Sequence, residues 1–193
     1  MEFLVEVSAR HIHLSDNAIC KLFGDGYKLT PKKDLSQPGQ FVCEERLEIV
    51  GNRGSIKNVA ILGPSRSKVQ VEISMTDSRK IGISTEIRDS GNISGTAGCK
   101  LIGPKGELKI NEGVIIAQRH IHMLPSDAQR FSVQDGQIVS VKINSQLRKV
   151  IFGDVLIRVN PLYSLAMHID TDEANAAGVV CPTYGRIVKD IVL

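Results

Sequence analysis

Two copies of the tetrapeptide Arg-His-Ile-His, at residues 10–13 and 119–122, hold four of the five histidines in this chain. Side chains alternate between the two faces of a β-strand, so the two imidazoles of each copy share a face. Paired neutral imidazoles are typical metal ligands, and zinc binds them at about 2.0–2.1 Å. The alternative, a pair of buried core histidines, is weaker because the whole tetrapeptide is duplicated. The four candidate ligands are His11, His13, His120 and His122.

The elements on either side of each copy are also repeated. An apolar run that predicts a strand comes before each copy, at 3–7 and at 114–117. After the first copy, Ser15 is a helix N-cap, and the helix that follows ends before Gly24. After the second copy, a proline opens a helix over 125–131. This repetition predicts two related β-barrels, each contributing one histidine pair to a shared cleft.

Short strands separated by turns predominate elsewhere, and their spacing is typical of barrels and sandwiches. The predicted strands cover 47–50, 55–62, 69–73, 100–102, 107–110, 138–143, 147–152 and 155–159. One further helix is predicted after Asp170, which forms a capping box with Glu173, and it ends at Gly178. We therefore expect a mainly β protein with few and short helices.

The fifth histidine, His168, lies at a strand end just before a capped helix, as the paired histidines do. A catalytic zinc ion usually has three protein ligands and one open position, so two such sites need a sixth ligand. A carboxylate is the usual choice, and Glu48, Glu72 and Glu86 lie on predicted strands or near their ends. Alternation predicts that Glu72 faces solvent if its two neighbours face the core. The spacing of these residues does not decide among the three.

Arg66 lies in a Gly-Pro-containing loop, 63–67, that follows a buried-looking strand. A guanidinium at a strand end is well suited to bidentate pairing with phosphate or carboxylate. By itself, the loop is more typical of a solvated surface arginine. The sequence contains no phosphate-binding glycine-rich loop and no serine nucleophile elbow.

Composition restricts the classes of function. The net charge is +3 without a basic run, tryptophan is absent and aromatic residues make up 4%, so a nucleic-acid partner is not expected. No apolar segment is long enough to suggest a membrane span, and the N-terminus lacks the features of a signal peptide. The four cysteines are far apart and form no C-x-x-C pair, which indicates reduced thiols in the cytoplasm.

The chain resembles the PduL-type phosphotransacylases, or phosphate propanoyltransferases, over nearly its whole length. The segments that carry the resemblance are Ser-Ala-Arg-His-Ile-His-Leu-Ser at 8–15, Lys-Asp-Leu-Ser-Gln-Pro-Gly-Gln-Phe at 33–41, Leu-Gly-Pro-Ser-Arg at 62–66, Gln-Val-Glu-Ile-Ser at 70–74, Glu-Gly-Val-Ile-Ile-Ala at 112–117, Arg-His-Ile-His-Met at 119–123 and Met-His-Ile-Asp-Thr-Asp-Glu-Ala-Asn at 167–175. The resemblance implies two β-barrels capped by short α-helices, with a two-metal site between them. It implies one barrel from residues 1–9 and 118–193, and the other from 10–117.

The resemblance also implies roles for individual residues. It assigns Arg66 to phosphate binding and catalysis, and it places coenzyme A near Ser8, Ala9 and Asn175, with Arg53 at a coenzyme A phosphate. By the same resemblance, one zinc ion is held by His11, His13 and Glu72, and a second by His120, His122 and His168. The open choice of carboxylate is thereby assigned to Glu72.

Three departures from the family pattern affect these expectations. Ala9 stands where the family often has asparagine, within the expected coenzyme A pocket. Leu124 replaces a small polar helix cap, a change that costs about 1 kcal/mol. Members that enter bacterial microcompartments often carry an N-terminal targeting helix, whereas seven residues precede Ser8 here. We therefore expect a cytoplasmic enzyme.

The implied reaction converts acyl-CoA and phosphate into acyl phosphate and coenzyme A, and the reverse. We expect a propionyl or acetyl group, direct attack of phosphate on the thioester with help from the metal, and a homodimer or larger homo-oligomer. One alternative is a bicupin-like metal oxygenase or isomerase, but neither histidine pair is followed by the glutamate that a cupin needs. The other is a binding module with structural zinc, whose metal sites would be closed.

Overall fold

The structure is a computed structural model, of which residues 1–188 are described. Within this range the strands are β1 (Phe3–Val7), β2 (His11–His13), β3 (Pro31–Asp34), β4 (Phe41–Val50), β5 (Ser55–Gly63), β6 (Gln70–Glu72), β7 (Ile87–Arg88), β8 (Ala97–Ile102), β9 (Glu107–Ala117), β10 (His120–Met123), β11 (Ile138–Ile143), β12 (Val150–Val159), β13 (Ala166–Ile169) and β14 (Thr183–Val188). The helices are α1 (Asp16–Phe23), α2 (Met75–Ile81), α3 (Pro125–Phe131) and α4 (Thr171–Ala177).

The chain forms two compact units. Unit 1 comprises Met1–Ser8, Ser36–Pro38 and the chain from Gln118 onward. Unit 2 comprises Ala9–Leu35 and Gly39–Ala117. Each unit contains its own closed barrel and its own apolar core. Among the described residues, no helix has the length and hydropathy needed to cross a bilayer.

The barrel of unit 2 is a ring of six strands in the order β2, β5, β4, β8, β9, β6. Strand β2 runs parallel to β5 and antiparallel to β6. Strands β3 and β7 lie outside the ring, paired with β4 and β9.

The barrel of unit 1 repeats this pattern of pairing. Its ring has the order β10, β12, β11, β14, β1, β13, and β10 runs parallel to β12 and antiparallel to β13. The parallel and antiparallel pairings follow the same sequence around both rings. The prediction of a mainly β protein with two barrels and short helices is confirmed.

Each histidine pair has a short strand of its own, separate from the apolar strand before it. Strand β1 belongs to unit 1 while β2 belongs to unit 2, and β9 belongs to unit 2 while β10 belongs to unit 1. The sequence predicted the apolar strand before each pair but not this separation of the pair into the other barrel. The chain leaves one barrel at residues 8–10 and at 118–119, and it enters the other barrel with the next residue.

The central isoleucine of each tetrapeptide anchors its strand. Ile12 and Ile121 are fully buried in the cores of units 2 and 1. Burial of such a side chain stabilises the fold by about 2 kcal/mol. Because alternate side chains point to opposite faces, burying the isoleucine in the barrel turns both histidines to the other face.

Local signals placed three of the four helices correctly. Ser15 caps α1 by accepting from the Ala18 N–H, and Asp170 and Glu173 form the capping box of α4. At the start of α3, Leu124 has no side-chain oxygen, and only its backbone N–H is bonded, to Asp127 Oδ2. The sequence analysis missed α2, although Ser74 caps it and Gly82 ends it.

Two predicted pairs of strands are single long strands. Strand β9 includes both 107–110 and 114–117, and β12 includes the second half of 147–152 and all of 155–159. Gly113 and Asp154 have φ values of 122° and 49°, which kink each strand without ending its pairing. Interruptions that look like strand ends in the sequence are therefore irregular positions within continuous strands.

Candidate metal centres

His11, His13 and Glu72 form a compact cluster in unit 2, the first triad. One ligand atom from each residue lies within 4.8 Å of the others. The two histidines come from β2, and Glu72 lies directly opposite His11 on the antiparallel strand β6. All three residues are buried, with exposed fractions of 5%, 2% and 8%. The expectation that Glu72 faces solvent is wrong, because both faces of β6 are covered.

Hydrogen bonding prepares the first triad to bind a cation. His11 Nδ1 donates to the Ala9 carbonyl at 2.9 Å, which leaves the lone pair on Nε2, 3.4 Å from Glu72 Oε2. His13 Nδ1 is buried and has no hydrogen-bond partner among the residues that the structure describes. A buried nitrogen without a partner is costly unless a ligand completes it. Two imidazoles and one carboxylate fit the donor set of a catalytic zinc ion.

Burial and charge together set the protonation states of this cluster. Burial, together with the positive charges of His11 and Arg66, lowers the pKa of His13 to about 3. Burial alone would raise the pKa of Glu72, but the charge and hydrogen bond of His11 outweigh it and hold that pKa well below its usual range. Burial likewise opposes charge on His11, yet the Glu72 carboxylate raises the pKa of this histidine. His13 is thus neutral and Glu72 ionised at neutral pH, as metal ligation requires.

His120, His122 and His168 form the second triad, in unit 1. Their ring centroids lie 4.6 Å (120 to 122), 5.3 Å (120 to 168) and 4.9 Å (122 to 168) apart. His120 and His168 are directly opposite each other on the antiparallel pair β10 and β13. This is the register that joins His11 to Glu72, so Glu72 and His168 occupy equivalent places in the two barrels.

The two triads also resemble each other in their hydrogen bonds and in the lowered pKa of the second histidine of each pair. His120 Nδ1 donates to the Gln118 carbonyl at 2.8 Å, as His11 Nδ1 does to the carbonyl two residues before it. His122 Nδ1, like that of His13, is buried without a partner among residues 1–188. Burial, with the charges of His120, His168 and Arg158, lowers the pKa of His122 to about 2. Three imidazoles also fit a catalytic zinc ion.

Two side chains distant in sequence approach His168, and the sequence analysis missed both. Glu6 Oε2 lies 3.8 Å from His168 Nε2, because Glu6 and His168 are neighbours across β1 and β13. Gln37 exchanges two hydrogen bonds with the backbone of Ser164 and brings its Nε2 to 3.5 Å from the same histidine nitrogen. The alternation of Glu6 in its strand gave no indication of this role.

Arg66 lies beside the first triad. Its backbone N–H donates to the Leu14 carbonyl at 2.8 Å, which fixes the 63–67 loop next to the histidine strand. Its positive charge contributes to the lowered pKa of His13 and opposes the raised pKa of His11. Arg158 has a similar place at the second triad, opposite His122 in the pairing of β10 with β12. The sequence analysis did not select Arg158.

The remaining predicted binding residues lie on different elements of the two units. Ser8 follows β1, where its N–H donates to the Ile169 carbonyl, and Asn175 is exposed on α4. Ala9 is exposed and orients His11 through its carbonyl. Arg53 is exposed in the β4–β5 turn, where its backbone N–H donates to the Ile81 carbonyl at the end of α2.

The arginine of each tetrapeptide binds the helix that follows the third member of its triad. Arg10 Nε contacts Asp77 Oδ2 at 2.6 Å, and Arg119 Nη1 contacts Glu173 Oε1 at 2.8 Å. Both acids occupy the third position of their helices, α2 and α4. Each ion pair therefore ties a histidine strand to the helix that begins just after Glu72 or His168.

We expect Asp77→Asn to lower the free energy of unfolding by about 1–3 kcal/mol, because a nearly buried charged partner is lost. The Asp77 side chain is 6% exposed. Urea unfolding of metal-free protein measures the change. As a control, Glu44→Gln removes the Lys32–Glu44 pair, whose side chains are both 51% exposed, and should cost less than about 1 kcal/mol. Equal effects of the two substitutions would contradict a structural role for the Arg10 ion pair.

The chain matches known proteins over almost its whole length. Residues 4–180 match the model of the phosphate propanoyltransferase family. The phosphate propanoyltransferase of Sebaldella termitidis is 53% identical over 97% of this chain and 89% of its own length. Those of Listeria monocytogenes and Thermotoga maritima are 51% and 53% identical, over 96% and 90% of this chain and 86% and 83% of their own lengths.

Identity of this extent is far above what a shared fold alone would produce. The matched range contains both tetrapeptides, Glu72, Arg66 and His168. The same segments form the two barrels and the two triads described above. The chain therefore belongs to the phosphate propanoyltransferase family and is a phosphotransacylase.

Proposed function

We propose that the protein transfers a short acyl group, propionyl or acetyl, between coenzyme A and inorganic phosphate, with one zinc ion at each triad. The observation that supports this most strongly is the duplicated triad with Arg66 beside one copy. The family's activity requires two anionic partners, phosphate and an acyl-CoA, to meet at one thioester. Bound zinc supplies Lewis acidity, which stabilises negative charge on phosphate and on the carbonyl oxygen.

The proposed reaction is a direct displacement. A phosphate oxygen forms a bond to the thioester carbonyl carbon, the carbon–sulfur bond breaks, and the phosphate proton passes to the departing thiolate. Arg66 binds phosphate with two parallel N–H donors and holds the attacking oxygen in position. Contacts from Ser8, Ala9, Arg53 and Asn175 to coenzyme A would place the carbonyl carbon within reach.

No protein nucleophile is needed, and the buried cysteines are poorly suited to act as one. Burial, with the nearby charge of Glu45, raises the pKa of Cys43 to about 11, and burial raises that of Cys99 to about 12. Both are protonated thiols at neutral pH, whereas the thiolate is the reactive form. All four cysteines are free of disulfides, which is consistent with the proposed reducing cytoplasm.

Thiol release tests this proposal. Metal-assayed protein is mixed with propionyl-CoA or acetyl-CoA, with and without phosphate, and free thiol is followed over time. We expect release only with phosphate, and release with arsenate as its substitute. Phosphate-independent thiol release would contradict direct transfer to phosphate.

Chelation separates the enzyme from a structural-zinc module. Removal of metal should abolish turnover while most of the far-ultraviolet circular dichroism signal is kept, because each barrel has its own apolar core. A protein that unfolds on chelation would favour structural zinc. The homodimer or larger oligomer stays a prediction, which light scattering can check.

A further inference from the structure

The two triads differ in one ligand, and the surroundings of that ligand differ as well. Glu72 and His168 are equivalent in the two barrels, but a carboxylate has two oxygens that can both bind a metal, whereas His168 offers a single available nitrogen. A carboxylate that binds through both oxygens fills two coordination positions. If one coordination position is to stay open, the first triad therefore needs hydrogen bonds that occupy one carboxylate oxygen. The second triad has no such need.

Gln70 and Ser90 donate such hydrogen bonds to one oxygen of Glu72. Gln70 Nε2 donates to Glu72 Oε1 at 2.6 Å, and Ser90 Oγ donates to the same oxygen at 3.0 Å. The second amide hydrogen of Gln70 is given to Ser90 Oγ at 2.8 Å. The Gly91 N–H donates to Gln70 Oε1 at 2.8 Å, which fixes the orientation of the amide. Gln70 is 2% exposed, so its amide is shielded from bulk solvent.

These bonds distinguish the two carboxylate oxygens. Two donors use both lone pairs of Oε1, which lies 3.9 Å from His13 Nε2, while Oε2 accepts neither bond and lies closer to its histidine, 3.4 Å from His11 Nε2. We propose that Gln70 and Ser90 are positioning residues, which hold Glu72 Oε1 so that Glu72 ligates zinc through Oε2 alone and a coordination position stays open for substrate. This inference rests on the proposed binding of metal at the first triad.

The equivalent position in the other barrel supports this interpretation. Gln70 lies opposite His13 on β6, and the residue in that place in unit 1, opposite His122 on β13, is Ala166. Where the third ligand is a histidine, the glutamine is thus replaced by a side chain without a donor. Of the two barrels, the one whose third ligand is a carboxylate has the glutamine at this position.

The test uses two variants that remove the donors, Gln70→Met and Ser90→Ala, and one that keeps the hydroxyl, Ser90→Thr. Zinc affinity is measured by competition with a chromogenic chelator, and the coordination of cobalt loaded in place of zinc is followed by visible absorption. In the first two variants, we expect one of the two zinc ions to bind about 10- to 100-fold more weakly. A loss of this size is typical when a residue that hydrogen-bonds to a metal ligand is removed. Their cobalt absorption should weaken as the coordination number rises. Ser90→Thr should resemble the unmodified protein.

Thr96→Val is the matched control. Thr96 is also buried and hydrogen-bonded in unit 2, to Ile93 and Gly113, and it takes no part in the bonds to Glu72. Its replacement should cost stability without altering affinity or the cobalt spectrum. If Gln70→Met fails to fold, Ser90→Ala, in a half-buried loop, still decides the question.

The outcomes separate this inference from the proposed function. Unmodified protein with two bound ions, together with variants of unchanged affinity and spectrum, would overturn the role of Gln70 and Ser90 alone. Unmodified protein that binds no divalent ion would overturn the metal proposal and this inference with it.

Discussion

His13→Ala should remove one metal ion per chain and lower kcat/KM by about three orders of magnitude, since a bound metal contributes several kcal/mol to stabilising the transition state. His13 is the most buried ligand of the first triad and carries a ring nitrogen without a partner among residues 1–188. The equivalent variant of the second triad, His122→Ala, should lose the other ion. Metal content is measured by mass spectrometry, and turnover by thiol release.

The control for this pair is Ile12→Val, which shortens the side chain on the opposite face of the same strand. It should cost about 0.5–1.5 kcal/mol of stability and leave both ions in place. A His13→Ala protein with two ions and normal turnover would remove the first triad from the mechanism. Loss of both ions in either variant would instead mean that the two centres depend on each other.

The parts of the fold that the sequence predicted depend on nearby residues. Ser15 and its helix lie within a few positions of each other, as do Asp170 and Glu173, so their hydrogen bonds can be inferred from spacing. The predicted strands 47–50 and 55–62 likewise leave a short turn at 51–54, which is closed by a bond from the Gly51 N–H to the Gly54 carbonyl. The start of α2 carries the same kind of signal in Ser74, which the sequence analysis did not use.

The parts that were missed depend on pairing between distant segments. Glu72 could not be chosen over Glu48 and Glu86 by spacing, because its partner His11 lies across a strand pair that the sequence does not reveal. Resemblance to the family supplied that choice. Gln37 meets the backbone of Ser164, 127 residues away, and only the folded chain shows it.

The alternation rule failed at β6 for a related reason. It predicts a polar outer face when the apolar side chains point inward, and Val71 is indeed buried in the core of unit 2. The outer face is nevertheless covered, because the segment carrying Ser90 and Gly91 bonds to Gln70 and Glu72. Gln and Glu two positions apart share one face of a strand. Such a pair in a sequence can indicate that this polar face is covered by another segment.

The chain crosses from one barrel to the other just before each histidine pair. The chain passes from β1 to the histidines of β2, and from β9 to those of β10. All six ring strands of unit 2 lie within residues 11–117, whereas the barrel of unit 1 cannot close without β1 from the N-terminal part of the sequence. Unit 1 needs Phe3–Val7 beside His168, and residue Glu6 enters its site in this way. A protein split at residue 118 should therefore fail to give two independently folded halves, which argues for tests on the full chain.

Arg66→Ala should lower kcat/KM for phosphate by about two to three orders of magnitude, the usual loss when one donor to a developing charge is removed. The substitution should act mainly on phosphate binding. KM for phosphate should rise, KM for acyl-CoA should change little, and both metal ions should stay bound. Arg66→Lys should recover part of the activity, because the charge is kept while the two parallel donors are lost. Steady-state kinetics with phosphate varied at saturating acyl-CoA measures these constants.

The matched control is Arg79→Ala, which removes an exposed arginine on α2 and should leave both KM values unchanged. Because the charge of Arg66 contributes to the lowered pKa of His13 and opposes the raised pKa of His11, its removal also relieves positive charge at the first triad. Metal affinity there should then stay equal or increase, while phosphate binding weakens. Opposite directions for the two ligands are the signature of an anion-binding arginine. An unchanged KM for phosphate in Arg66→Ala would exclude Arg66 from phosphate binding and leave Arg158, at the second triad, as the next cation to test.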